Sequence, residues 1–188
     1  MTEFEKMRAS MMYRFDDAEI QASFRRAANL CVQLQTISGF DEEHVRPLLE
    51  QLIPGLPATA CIHPPFFCDH GTGIRMGEGS FINSYGSLLD GALITIGSRT
   101  KLGPHCQLIT TNHPTDYLER RVPQETCKPI TIGDDTWLGA GVIVLPGVTI
   151  GDRCVIGAGS VVTKDIPSDS MAVGNPARVI KCLRKDNR

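Results

Sequence analysis

Residues 130–163 read ITIGDDTWLGAGVIVLPGVTIGDRCVIGAGSVVT, and one spacing runs through them. Ile132, Leu138, Val144, Ile150, Ile156 and Val162 recur at intervals of six, all aliphatic, with glycine directly after Ile132, Leu138, Ile150 and Ile156. Neither the 3.6 period of a helix nor the alternation of a strand produces this pattern. A strict six fits a coil of very short strands. Each hexad sends one aliphatic side chain inward and then turns a corner at a small or φ-positive residue. Stacked coils satisfy one another's backbone groups and enclose a narrow aliphatic interior.

Upstream, Ile96, Leu102 and Leu108 keep the spacing, and Met76, Ile82 and Leu88 form a third series, offset by two around Asp90-Gly91. Between Leu108 and Ile130 the hexads stop, and the polar run Thr110 to Arg121 reads as a loop extruded from the coil, a common place for binding or catalysis. Only Gly39 and Gly55, of eighteen glycines, precede residue 70, so the chain changes character there. Before that point the pattern is helical. Lys6 to Tyr13 is amphipathic, Asp16 or Asp17 can cap a helix through about Ile37, and Asp41 starts another through Leu52. Pro54, Pro57, Pro64 and Pro65 then mark an extended crossing. The expected organisation is a helical segment over 1–58, a mainly β coil of hexapeptides over 59–170 with the loop at about 111–129, and a basic tail over 171–188.

Composition narrows the function. With 41% hydrophobic and 21% charged residues the 188-residue chain is globular, and 6% aromatics demands an aliphatic core. A net charge of −2 gives no support to a nucleic-acid partner. The absence of a long apolar run or of a signal-like N-terminus points to a soluble, cytoplasmic protein with no membrane partner. Seven cysteines without a Cys-x-x-Cys pair read as reduced, mostly buried thiols rather than a metal or disulfide framework.

Several stretches resemble the maltose and galactoside O-acetyltransferases. They are the hexads, Trp137-Leu138-Gly139, Pro146 to Gly151, Ile156 to Pro167, Gly174 to Ile180, and Glu5-Lys6-Met7-Arg8-Ala9-Ser10 near the N-terminus. The resemblance implies a left-handed parallel β-helix, acetyl-CoA as co-substrate, no metal, and a homotrimer with active sites between subunits. It also implies transfer of an acetyl group to a hydroxyl of a sugar or related polyol. An amine acceptor, or a scaffold without catalysis, is the alternative.

A sugar hydroxyl is a poor nucleophile near neutral pH, so the chemistry needs a base, and His113 matches the family's catalytic histidine. Glu125 corresponds to a loop glutamate suited to fixing the imidazole tautomer. Asn83 and Asp90 match acceptor-contacting positions, and Asp69 lies at another. Asp16 is nearest to the family's N-terminal acceptor carboxylate, although the local pattern is displaced by about one residue and helix capping is the other reading. Ala140, Ala158, Thr163 and Lys164 match the path of the pantetheine arm. Arg178 and Lys181 match positions toward the phosphates, and Arg184, Lys185 and Arg188 extend the basic end. Trp137 reads either as packing beside the pantetheine arm or as a buried or subunit contact. His44, His63, His70 and His105 match no such element and read as structural. A zinc carbonic anhydrase would need three converging histidines, whereas only His105 and His113 flank the loop from within the coil and no third follows in the repeat.

Overall fold

Three columns of inward aliphatic side chains hold the molecule together. The computed structural model describes residues 1–184, and within them three parallel sheets form the sides of a coil. On the first face Ile62, Ile82, Leu102, Leu138, Ile156 and Ala172 stand in register. On the second, Cys68, Leu88, Leu108, Val144 and Val162 do the same. On the third, Met76, Ile96, Ile132 and Ile150 align. All three six-residue series of the sequence therefore point inward. Each fully buried Ile, Leu or Val contributes roughly 1.5–3 kcal/mol relative to exposure.

The glycines that follow inward residues on the first and third faces have a packing reason. A Cβ on Gly139 would lie 2.7 Å from the backbone nitrogen of Ala158 in the next coil, so only hydrogen fits beneath it. Another corner takes side chains in left-handed conformation and couples them by charge. Arg99, Asp135, Arg153 and Asp169 all have φ between 54° and 60°. Arg99 grips Asp135 at 2.7 and 2.8 Å, and Arg153 grips Asp169 at 2.6 and 2.9 Å.

The N-terminal segment contains α1 (Glu3–Arg8), α2 (Ala18–Gln35) and α3 (Glu42–Leu52). Asp17 caps α2 by accepting from Glu19 N and Ile20 N, and Asp41 caps α3, as its sequence position predicts. The stretch Lys6 to Tyr13 is not one helix. α1 stops at Arg8, Ser10 takes φ 59°, and Tyr13–Arg14 becomes a strand. The capping box of Thr2 and Glu5 starts α1 three residues earlier than the amphipathic pattern indicates.

Five of the seven cysteines are buried free thiols, while Cys61 is half-buried and Cys182 exposed. At the C-terminal end Ser170–Val173 adds to the first face, and Arg178–Cys182 folds back antiparallel on it. The segment expected as a tail thus begins as a hairpin. Lys185 and Arg188 lie outside the described residues. Among the described residues no helix is long and apolar enough to cross a membrane.

Candidate active site

Where the hexads stop, the chain leaves the coil as a hairpin. Thr111–Asn112 pairs antiparallel with Gln124–Cys127, and the turn between them carries a short 3-10 helix at Glu119–Arg121. The strand Tyr13–Arg14 adds to the free edge, placing Tyr13 opposite Glu125 and Arg14 opposite Gln124. Beneath this small sheet lies a second core of Met7, Tyr13, Ile20, Ala92 and Cys127, with Phe4, Phe15 and Phe24 packed against it. The N-terminal helices thus anchor the hairpin to the coil.

His113 follows the first hairpin strand, with its side chain 53% exposed and so open to a ligand. Its Nε2 is 3.6 Å from Oε2 of Glu125, which is buried. That is ion-pair distance, longer than a formed hydrogen bond. The Tyr13 hydroxyl donates to the other carboxylate oxygen of Glu125 and also lies 3.4 Å from Cys127 Sγ. Burial above all, with Cys127 and Glu125 nearby, holds the Tyr13 phenol above its ordinary range, so it stays a proton donor. Phe15 meets the His113 ring edge to face at 6.3 Å. Together Phe15, Gln21, Phe24, His113 and Glu125 line a pocket of about 330 Å³.

This arrangement sits within a recognisable family. The bacterial transferase hexapeptide family (six repeats) matches residues 129–164. Nodulation protein L of Rhizobium meliloti is 42% identical over 178 residues, 95% of this chain and 97% of its own. The chain superposes on a maltose O-acetyltransferase from Clostridium difficile with TM-score 0.95 and 39% identity, over 98% of this chain and 99% of the other. A hexapeptide-repeat acetyltransferase of Vibrio cholerae, complexed with acetyl coenzyme A, matches with TM-score 0.87 and 38% identity, over 98% and 100%. The chain belongs to the hexapeptide-repeat acetyltransferases of the maltose O-acetyltransferase family. Its coil is a parallel β-helix of hexapeptide repeats.

The remaining candidate residues of this acetyltransferase fall into distinct places. Asp69 follows the strand Phe66–Cys68 near the pocket. Burial first, then the carboxylates of Asp90 and Glu125, push it up to about 7. Asp90 differs from its expected role. It is fully buried, and its two carboxylate oxygens accept from His70 N and Gly73 N at 2.8 Å, so both face backbone donors rather than a ligand. The two-residue offset around Asp90-Gly91 builds this internal joint. Asp16 is exposed and paired with Arg14 at 2.8 and 3.0 Å; it neither lines the pocket nor caps α2.

Asn83 stands at the edge between the first and second faces, after Phe81–Ile82, with its side-chain oxygen accepting from Ser84 N. Ala140 and Ala158 follow Trp137–Leu138 and Val155–Ile156 at that same edge, both exposed. Thr163 and Lys164 follow Val161–Val162 at the next edge, the one from which the His113 hairpin leaves. Within one chain, then, the structure divides the candidate residues between two edges. Arg178 and Lys181 are exposed on the terminal strand, and Trp137 is exposed on the first face.

Sequence reading missed Phe15, Gln21 and Phe24, which line the pocket, and Tyr13, which reaches Glu125 from outside it. The register across the hairpin reveals Tyr13, and the docking of α2 reveals Gln21 and Phe24. Of the other histidines, His70 is buried between Phe4 and Phe24 with Nδ1 2.8 Å from Ser23 Oγ, and burial lowers it to about 4. His105 stacks on Tyr85, with the ring centroids 4.7 Å apart. Among the described residues no cluster of histidine, cysteine and carboxylate side chains could hold a metal.

Proposed function

We propose that this acetyltransferase moves the acetyl group of acetyl-CoA to a hydroxyl of a sugar or related polyol, with His113 as general base. The observation that carries this reading is an open imidazole beside the buried carboxylate of Glu125 at 3.6 Å, within a pocket. A carboxylate on one ring nitrogen fixes the tautomer and stabilises the imidazolium that forms. The other nitrogen is then the one that accepts the hydroxyl proton as oxygen attacks the thioester carbon. The tetrahedral intermediate collapses, the C–S bond breaks, and the imidazolium returns its proton to the departing thiolate. In a ligand-free enzyme such contacts are long and tighten on binding.

The donor reading is supported by the Vibrio relative solved with acetyl coenzyme A, and the sugar reading by the Clostridium maltose O-acetyltransferase. Ala140 and Ala158 lie on one edge of the coil, where small side chains leave room for an extended arm. Thr163 and Lys164 lie on another, and Arg178 and Lys181 offer cations to phosphates. Asn83 and Asp69 supply acceptor contacts, the first from the edge opposite to His113's own. That division supports a homotrimer in which one copy's Asn83 edge meets the next copy's His113 edge. Acetyl-CoA as donor and buried free thiols fit a cytoplasmic setting.

The test is release of CoA thiol from acetyl-CoA with glucosides, galactosides, maltose and amino sugars as acceptors. Release with neutral glycosides is expected. Release confined to amines would replace the hydroxyl reading with N-acetylation, and no release with any acceptor would sink both.

A further inference from the structure

The carboxylate beside His113 is held from a part of the chain outside the coil. We propose that Tyr13 is a positioning residue for acetyl transfer: its hydroxyl fixes the Glu125 carboxylate so that the second oxygen faces His113. This rests on the reading of His113 as the base.

Glu125 is only 7% exposed, and a buried carboxylate needs donors on both oxygens. Tyr13 serves one, and His113 stands at the other. Among the described residues no further backbone or side-chain donor reaches either oxygen. Without the phenol, the carboxylate could turn about its last torsion and leave the imidazole. Tyr13 itself has little freedom. Its side chain is 2% exposed in the core of Met7, Ile20, Ala92 and Cys127, and its backbone is paired directly across from Glu125.

The titratable groups that face Glu125 come from four places. Tyr13 is on the N-terminal strand, His113 follows the facing hairpin strand, Cys127 is on Glu125's own strand, and Asp69 comes from the coil. Cys127 and Asp69 form no hydrogen bond to it among the described residues. The phenol is therefore the one neutral donor that orients the pair. Its placement also makes the base depend on the docking of α1 and the strand after it.

Tyr13→Phe keeps the ring and removes only the hydroxyl. The expected result is a fall in kcat of about tenfold with the KM for acetyl-CoA unchanged. The acidic limb of the kcat/KM profile moves to lower pH, because an imidazolium with a mobile counter-charge is less stabilised. Glu125→Gln acts in the same direction and more strongly, and adding Tyr13→Phe to it brings no further loss. Ile20→Ala, in the same small core, lowers the melting temperature without moving the limb. The proposal is overturned if Tyr13→Phe keeps kcat within about twofold, if its loss multiplies with that of Glu125→Gln, or if Ile20→Ala moves the limb equally. Retained turnover in His113→Ala would instead strike the underlying assignment of the base.

Discussion

The guanidinium of Arg8 donates to the backbone carbonyl of Asp90 at 2.5 Å, across 82 residues of sequence. It also donates to Gly91 O at 2.9 Å and Thr72 Oγ1 at 2.9 Å. One side chain thereby ties the end of α1 to the corner where the coil departs from its spacing. Charged donors to carbonyls contribute about 1.5–3 kcal/mol each when partly buried, but not additively. Arg8→Ala should therefore lower unfolding free energy by about 3 kcal/mol in a urea titration. It should also speed hydrogen exchange at Tyr13 and Arg14 before the coil opens. Unchanged protection there would show that the small core alone holds the segment.

Asp90 offers a sharp contrast between a ligand contact and an internal joint. Both carboxylate oxygens accept buried backbone N–H groups. Asn at this position keeps one acceptor and points an amide N–H at a backbone N–H, so Asp90→Asn should cost about 2–3 kcal/mol of stability. The folded fraction should keep its acceptor KM. A raised KM with an unshifted urea midpoint would return Asp90 to the acceptor site.

The His113 side chain is 53% exposed, at the mouth of a pocket it shares with Glu125 and Phe15, so its removal should leave the fold intact. His113→Ala should lower kcat by roughly 100-fold or more, the usual size of a general-base effect. Because Glu125 acts through the imidazole, His113→Ala combined with Glu125→Gln should be no slower than His113→Ala alone. Steady-state kinetics of the two single variants and the double variant decides this. Multiplying losses would mean that Glu125 serves catalysis by another route.

The coil was legible because its cause is local. Every sixth residue from Ile132 to Val162 meets the same demand for a buried aliphatic side chain, and after Ile132, Leu138, Ile150 and Ile156 the next coil leaves room only for glycine. The caps of Asp17 and Asp41 were legible for the same reason. Glu125 entered only by family likeness, since nothing around it marks a carboxylate as buried. Tyr13 stayed hidden because its partner is 112 residues away and the pairing depends on a hairpin whose register no period announces. Asp90 shows where local pattern stops being enough. The offset at Asp90-Gly91 was visible, but whether its carboxylate turned outward or onto His70 N and Gly73 N depended on the path of the preceding coil.

Asp69 makes stability depend on pH in a direction opposite to an ordinary salt-bridged carboxylate. Burial, then Asp90, then Glu125 raise it to about 7, against about 3.9 in an unfolded chain. Between these values the folded state binds more protons than the unfolded state, so stability falls as pH rises from about 4 to about 7. Below that window both states are protonated, and above it both are ionised, so the effect is flat on either side. Asp69→Asn removes the ionisation while keeping size and polarity. The variant should gain stability over the parent progressively across that window and hold the gain at higher pH. Urea unfolding of both proteins at intervals from pH 4 to pH 8 measures it. A difference that stays constant across the series would place the Asp69 carboxyl in water, away from Asp90 and Glu125.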